Sequence, residues 1–200
     1  MKTLLQINAS LRSDSGQSSV LASAFTKKWL QANPGGRVIL RDLAAHEIPH
    51  LTEGRFEAFL TAPEERTEQQ AAWAAESDEL IAELQQADTV VIGLPMYNFG
   101  IPSTLKAWID HVARAGKTFK YTESGAVGLL ADRPVVLFAA RGGVYKGTAR
   151  DTQSAYMTHF LNFIGIRDIE FVYAEGLALG EETRQNSLTV ATRTMERLAA

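Results

Sequence analysis

Short apolar runs of strand length alternate along this chain with stretches whose apolar residues recur every three or four positions. The runs predict five strands: Leu4 to Asn8, Arg37 to Arg41, Thr89 to Leu94, Pro134 to Ala140 and Ile169 to Ala174. Between them, Val20, Leu21, Ala24, Phe25 and Trp29 mark a first helix, which Asn33-Pro34-Gly35-Gly36 stops. Thr67 and Gln70 have capping-box spacing and open a second helix to about Gln86, with Trp73, Leu80, Ile81 and Leu84 on its buried face. Pro102 suits the first turn of a third helix, which runs to about Arg114. Asp151 caps a fourth helix, with Tyr156, Phe160, Leu161 and Ile164, that ends at Gly165; a fifth runs from about Glu181 to Leu198. Asp42 to Arg66 reads as irregular, and Gly116 to Gly128 as an excursion with Phe119 and Tyr121 on one side.

The third strand is apolar on both faces, as a central parallel strand under two helical layers requires. Five strands alternating with five helices predict an α/β, doubly wound parallel sheet of order 2-1-3-4-5 with helices on both faces. Two hundred residues, 46% of them hydrophobic and without a linker-like tract, fit one domain over 1–200. Such a sheet binds ligands at the carboxyl ends of strands one and three.

Three loops belong to that edge. Ala9 to Ser19 leads into a helix whose free amides suit a phosphate, with Ser10 and Ser18 hydroxyls, the Gln17 amide and Gly16 around it; it also reads as a solvated turn with Ser18 as N-cap. Pro95-Met96-Tyr97-Asn98-Phe99 carries recognition side chains, or simply packs its aromatics. Ala140-Arg141-Gly142-Gly143-Val144-Tyr145 lets a flat ligand lie against main chain, or is a tight turn. Together they suit a flat ring with a phosphate tail, for which flavin mononucleotide (FMN) is the fitting molecule. No G-x-G-x-x-G follows the first strand, which disfavours a dinucleotide site.

Charge and composition narrow the chemistry. The net charge of −3, with interspersed signs, offers no basic stripe for nucleic acid and no cationic face for a membrane. There is no cysteine, so redox chemistry needs an organic cofactor. The amino terminus lacks a signal-peptide pattern and no run reaches membrane-spanning length, so a cytoplasmic location is expected. His46-Glu47-Ile48-Pro49-His50 matches a zinc-protease pattern, but Pro49 is incompatible with the helix it needs, and no metal is expected. His111 and His159 read as capped or surface histidines, and Glu64-Glu65-Arg66 as a solvated helix entrance.

The PMYNF run, LKAWID, GKTFKYTESG, ARGG and FLNFIGI resemble the FMN-dependent NADH azoreductase family, related to NAD(P)H quinone reductases, over essentially the whole chain. The resemblance implies a flavodoxin-like homodimer with FMN at the subunit interface, held by Ser10, Gly16, Gln17, Ser18, Met96, Tyr97, Asn98, Phe99, Ala140, Arg141, Gly142 and Gly143. It implies two-electron reduction of azo compounds and quinones in a ping-pong cycle, with NADH or NADPH as donor. No protein nucleophile is expected. Asn98, Phe119, Tyr121 and Phe163 are candidates for the acceptor pocket, the three aromatics as an apolar wall from this chain or its partner, or else as ordinary core aromatics with no such role. Gly16, Ala140 and Tyr145 stand where relatives often carry Ser, Ser and His. The alternatives are a quinone reductase for which azo reduction is incidental, and a non-catalytic flavodoxin-like binding or signalling module. A receiver-type module would need acidic residues where Asn8-Ala9 and Pro95-Met96 stand.

Overall fold

A computed structural model describes residues 1–199. Its main sheet is built from β1 (Thr3–Asn8), β2 (Arg37–Asp42), β3 (Thr89–Pro95), β6 (Val135–Ala140) and β7 (Ile169–Ala174), all parallel in the order β2-β1-β3-β6-β7. β4 (Phe119–Thr122) and β5 (Gly125–Gly128) form a separate antiparallel hairpin, so the expected excursion has structure of its own. With the hairpin set aside, the sheet strands follow the expected order 2-1-3-4-5.

Alternate residues of the central strands enter two different cores. Leu4, Val91, Val136 and Phe138 pack with Leu21, Phe25 and Trp29 of α1 (Gln17–Ala32) and with Ala191 and Met195 of α6 (Glu181–Leu198). Leu5, Ile7, Val90, Ile92 and Leu137 pack with α3 (Glu68–Gln86), α4 (Ser103–Val112) and α5 (Thr152–Ile164). This period-two split is why β1 and β6 are buried throughout, and β3 from Val90 onward, while β2 and β7, at the edges, are not.

Local signals act where expected. Thr67 and Gln70 form both halves of the capping box at α3, and Gly165 ends α5 at φ 109°. Two readings need correction. The segment expected to be irregular contains α2 (Glu53–Leu60), capped by Thr52 and packed on α3, and a 3₁₀ turn at Pro63–Glu65; Arg66 then reaches back to donate to the Ala58 carbonyl. His111 is fully buried in α4 rather than at the surface. Its Nδ1 bonds to the Ala107 carbonyl and its ring meets Phe59 edge-on. Burial pushes its pKa below the ordinary imidazole value; the Ala107 bond opposes this and the nearby Arg55 charge adds to it.

Candidate functional site

Register brings the three loops to one edge of the sheet. Asn8 pairs with Gly93, Pro95 with Ala140 and Ala140 with Ala174, so the chain leaves β1, β3 and β6 at nearly the same level. Further bonds tie the exits together, Ala9 N–H to the Gly93 carbonyl at 3.2 Å and Met96 N–H to the Ala140 carbonyl at 3.1 Å.

The first loop ends at an open helix terminus. Gly16 is the N-cap of α1 and no side chain caps it, so the amides of Gln17 and Ser18 have no acceptor among the described residues. Ser18 is 1% exposed and its Oγ has no hydrogen-bond partner among the described residues. The Ser18 N-cap reading is therefore incorrect. α1 comes this close to the sheet because of Gly93, where a Cβ would lie 3.2 Å from the Ser18 carbonyl. Sequence reading passed over Gly93, although a lone glycine inside an apolar strand signals such a close approach. Ser10 Oγ accepts from Arg12 N–H at 3.2 Å. A Cβ on Gly16 would fall 2.1 Å from that oxygen, so glycine at 16 goes with this Ser10 position, and a serine there would displace it.

The second loop turns over two residues, Asn98 at φ 50° and Phe99 at φ 64°, closed by Tyr97 and Gly100 exchanging backbone hydrogen bonds at 3.2 and 2.9 Å. Positive φ is common for asparagine and costly for phenylalanine. Tyr97 Oη reaches the first loop, accepting from Leu11 N–H at 3.2 Å and lying 3.5 Å from Ser10 Oγ.

The third loop is stitched to the chain beyond β7. The carbonyls of Gly142 and Gly143 accept from Ala178 and Gly176, and the Glu175 carboxylate accepts from Tyr145 and Lys146 N–H. The Gly142 and Gly143 amides have no acceptor among the described residues. Met96, Asn98, Phe99, Gly142, Gly143 and Tyr145 together line a 280 Å³ cavity. Tyr145 folds across it with its hydroxyl on Gly143 and its ring edge-on to Phe99.

Arg141 sits differently from the expected cofactor contact. Its side chain is fully buried beneath the loop, donating to Asp151 at 2.7 Å, to Ser154 at 3.1 Å and to Glu175 at 3.1 Å, over the Tyr173 ring. Its amide and carbonyl are also engaged, with Ala174 and Leu177. Burial acts against the Asp151 charge, but hydrogen bonds from Arg141 and Ser154 hold its pKa below the ordinary carboxylate value.

Nor do all the acceptor-pocket candidates meet the loops. Phe119 packs against Phe163 with the rings tilted and their centroids 4.3 Å apart, and meets Tyr121 edge-on at 5.5 Å. Phe163 lies eleven residues beyond Thr152, about 16 Å down α5 and away from the loop edge. Of the four candidates only Asn98 lines the loop cavity of its own chain.

A parallel sheet of this order, with its ligand edge built from an open helix terminus and two backbone-lined loops, defines a flavodoxin-like protein. The chain belongs to that family: the family model described as flavodoxin-like fold matches residues 1–198. An FMN-dependent NADH:quinone oxidoreductase of Cellvibrio japonicus is 57% identical over 182 residues, 91% of this chain and 92% of the relative. One of the same name from Alcanivorax borkumensis is 50% identical over 188 residues, covering 94% and 95%. Among solved structures, an FMN-dependent NADH-azoreductase from Bacillus anthracis in complex with FMN superposes with a TM-score of 0.88 at 30% identity and covers both chains fully. An azoreductase from the same species, strain Sterne, gives a TM-score of 0.91 at 31% identity, covering 100% of this chain and 99% of that one. Among the described residues no helix is long and apolar enough to cross a membrane, and no group of three or more His, Asp or Glu stands together to hold a metal ion.

Proposed function

We propose that this protein is an FMN-dependent NADH:quinone oxidoreductase that also reduces azo compounds, folded as one doubly wound flavodoxin-like unit. One observation carries the reading: a buried serine hydroxyl without a partner lies beside uncapped amides at the sheet edge where the other two loops open a cavity. Oxygen and nitrogen donors converging on a helix terminus suit a phosphate. Ser18 Oγ and the amides of Gln17 and Ser18 would hold it, with Ser10 and Tyr97 closing the side. The free amides of Gly142 and Gly143 would face the polar edge of the ring, and Met96, Asn98 and Phe99 its flank. Arg141 acts from below by fixing the third loop.

FMN, when bound, accepts and then returns a hydride. The chain's part is to orient the ring, donate hydrogen bonds where its charge grows, and keep water from its face. A donor and an acceptor that take the same place against the ring in turn would give a ping-pong cycle. The relatives' names support NADH as donor and quinones as acceptors, and the neighbouring structures support azo compounds.

The separation of Phe119, Tyr121 and Phe163 from the cavity favours a homodimer in which they cover the partner's flavin and line the acceptor pocket; Tyr121 is 74% exposed in the single chain. A cytoplasmic location belongs to the same reading. The test is spectroscopic. Purified protein is expected to be yellow, to bleach with NADH without oxygen, and to regain its colour with a quinone. Colourless protein that neither binds nor turns over added FMN overturns the proposal.

A further inference from the structure

The amino end of α5 lies directly behind the second loop, and its side chains hold that loop by its carbonyls. Gln153 is 1% exposed, and its Nε2 donates to the Pro95 carbonyl at 2.8 Å and to the Gly100 carbonyl at 2.9 Å. These two carbonyls bracket the turn containing Asn98 and Phe99. Thr152, the preceding residue, donates its hydroxyl to the Phe99 carbonyl. Three consecutive attachments thus surround the two positive-φ residues.

The amide orientation of Gln153 follows from its surroundings. Two carbonyl oxygens face one end of the side chain, and only the NH₂ group satisfies both. Oε1 is left buried without a partner among the described residues. A side chain that leaves its own acceptor unpaired in order to donate twice to one turn is placed to hold that turn. α5 is in turn fixed to the third loop, because the adjacent Asp151 and Ser154 bind the Arg141 guanidinium. The first turn of α5 therefore connects both loops that line the cavity.

We infer that Gln153 and Thr152 are positioning residues for the flavin: they hold the Tyr97–Gly100 turn in its positive-φ form and set its distance from Gly142 and Gly143. This rests on the functional reading above, but its structural half does not need FMN. Without the attachments, Phe99 has reason to leave the left-handed region, and the turn relaxes away from the cavity.

The test uses Gln153→Met, which keeps the length without the donors, with Thr152→Val and Thr152→Ser. Thr152 is exposed, so its variants are expected to fold even where Gln153→Met does not. Two readouts are taken: FMN affinity by flavin fluorescence, alongside melting temperature, and the rate at which chymotrypsin cuts FMN-free protein after Tyr97 or Phe99. Gln153→Met is expected to bind FMN roughly tenfold more weakly and Thr152→Val about threefold, as loss of two hydrogen bonds and of one implies. Both are expected to be cut faster at the turn, and Thr152→Ser to behave as wild type. Wild-type FMN affinity in Gln153→Met and Thr152→Val overturns the inference, even if melting temperature falls. If wild type binds no FMN, the functional reading fails, and cleavage alone judges the turn: faster cutting in the two variants supports the attachment, and equal cutting overturns it.

Discussion

Replacing Arg141 with methionine separates support of the third loop from contact with the cofactor. The guanidinium is fully buried and is the shared cation of Asp151 and Glu175, whose side chains are only 8% and 11% exposed. Methionine keeps most of the apolar stem, so little packing is lost. What changes is that two carboxylates face each other across a poorly solvated space without a counter-charge. Breaking one buried pair costs about 3–5 kcal/mol. The two pairs share one cation, and each carboxylate keeps other donors, Ser154 for Asp151 and the Tyr145 and Lys146 amides for Glu175, so the total stays near that range. In a chain of this size it corresponds to a fall in melting temperature of about 6–20 °C. Urea unfolding of FMN-free protein at pH 7.5 and 5.0 provides the assay. The loss is expected to be larger at pH 7.5, because Arg141 helps hold the Asp151 pKa down, and without it Asp151 takes up a proton more readily in acid, which relieves the repulsion. A loss under about 1 kcal/mol at pH 7.5, well below the cost of an uncompensated buried charge, refutes the argument.

Three further outcomes follow from the same geometry. His111 is neutral and buried with a pKa below the ordinary 6.5, so the unfolded chain takes up more protons as pH falls through 6.5, and stability falls with it; the melting-temperature difference between His111→Leu and wild type should move in favour of the variant from pH 7.5 to 5.5, and a constant difference contradicts this. Gly142 lines the cavity with bare main chain, so Gly142→Val, which adds a branched side chain there, is expected to lose flavin; unchanged FMN affinity by fluorescence titration refutes it. Tyr121→Ala is expected to alter acceptor kinetics while flavin stays bound, and unchanged kinetics with several quinones and dyes removes Tyr121 from the pocket.

The parts legible in the sequence were those governed by local periodicity and chain-local chemistry. Val90 to Leu94 read as central because every position is apolar, and Thr67, Gln70 and Gly165 carry their cap chemistry within a few residues. α2 escaped notice because it is only eight residues long, lies between Pro49 and Pro63, and owes its place to α3, with Gly54 against the Trp73 ring. His111 was misread because its burial depends on Phe59 from that same helix. The loops of the site were found from their residue types, yet the assignment of Arg141 to cofactor contact came from its place in the ARGG run. The partners its side chain has in the structure, Asp151 and Glu175, are ten and 34 residues away, and no local pattern points to them. Gln153 was invisible for the same reason: a glutamine in a helix has no signature for carbonyls 53 and 58 residues distant.

The most direct test of the site is the affinity of FMN relative to riboflavin, measured by fluorescence titration of the FMN-free protein. The two ligands differ only in the phosphate assigned to Ser18 and the open end of α1. Several charge-assisted hydrogen bonds there predict FMN binding at least about a hundredfold tighter, and Ser18→Ala should narrow the gap. Equal affinity for the two flavins in the wild-type protein would contradict the placement of the cofactor at the loops of β1, β3 and β6.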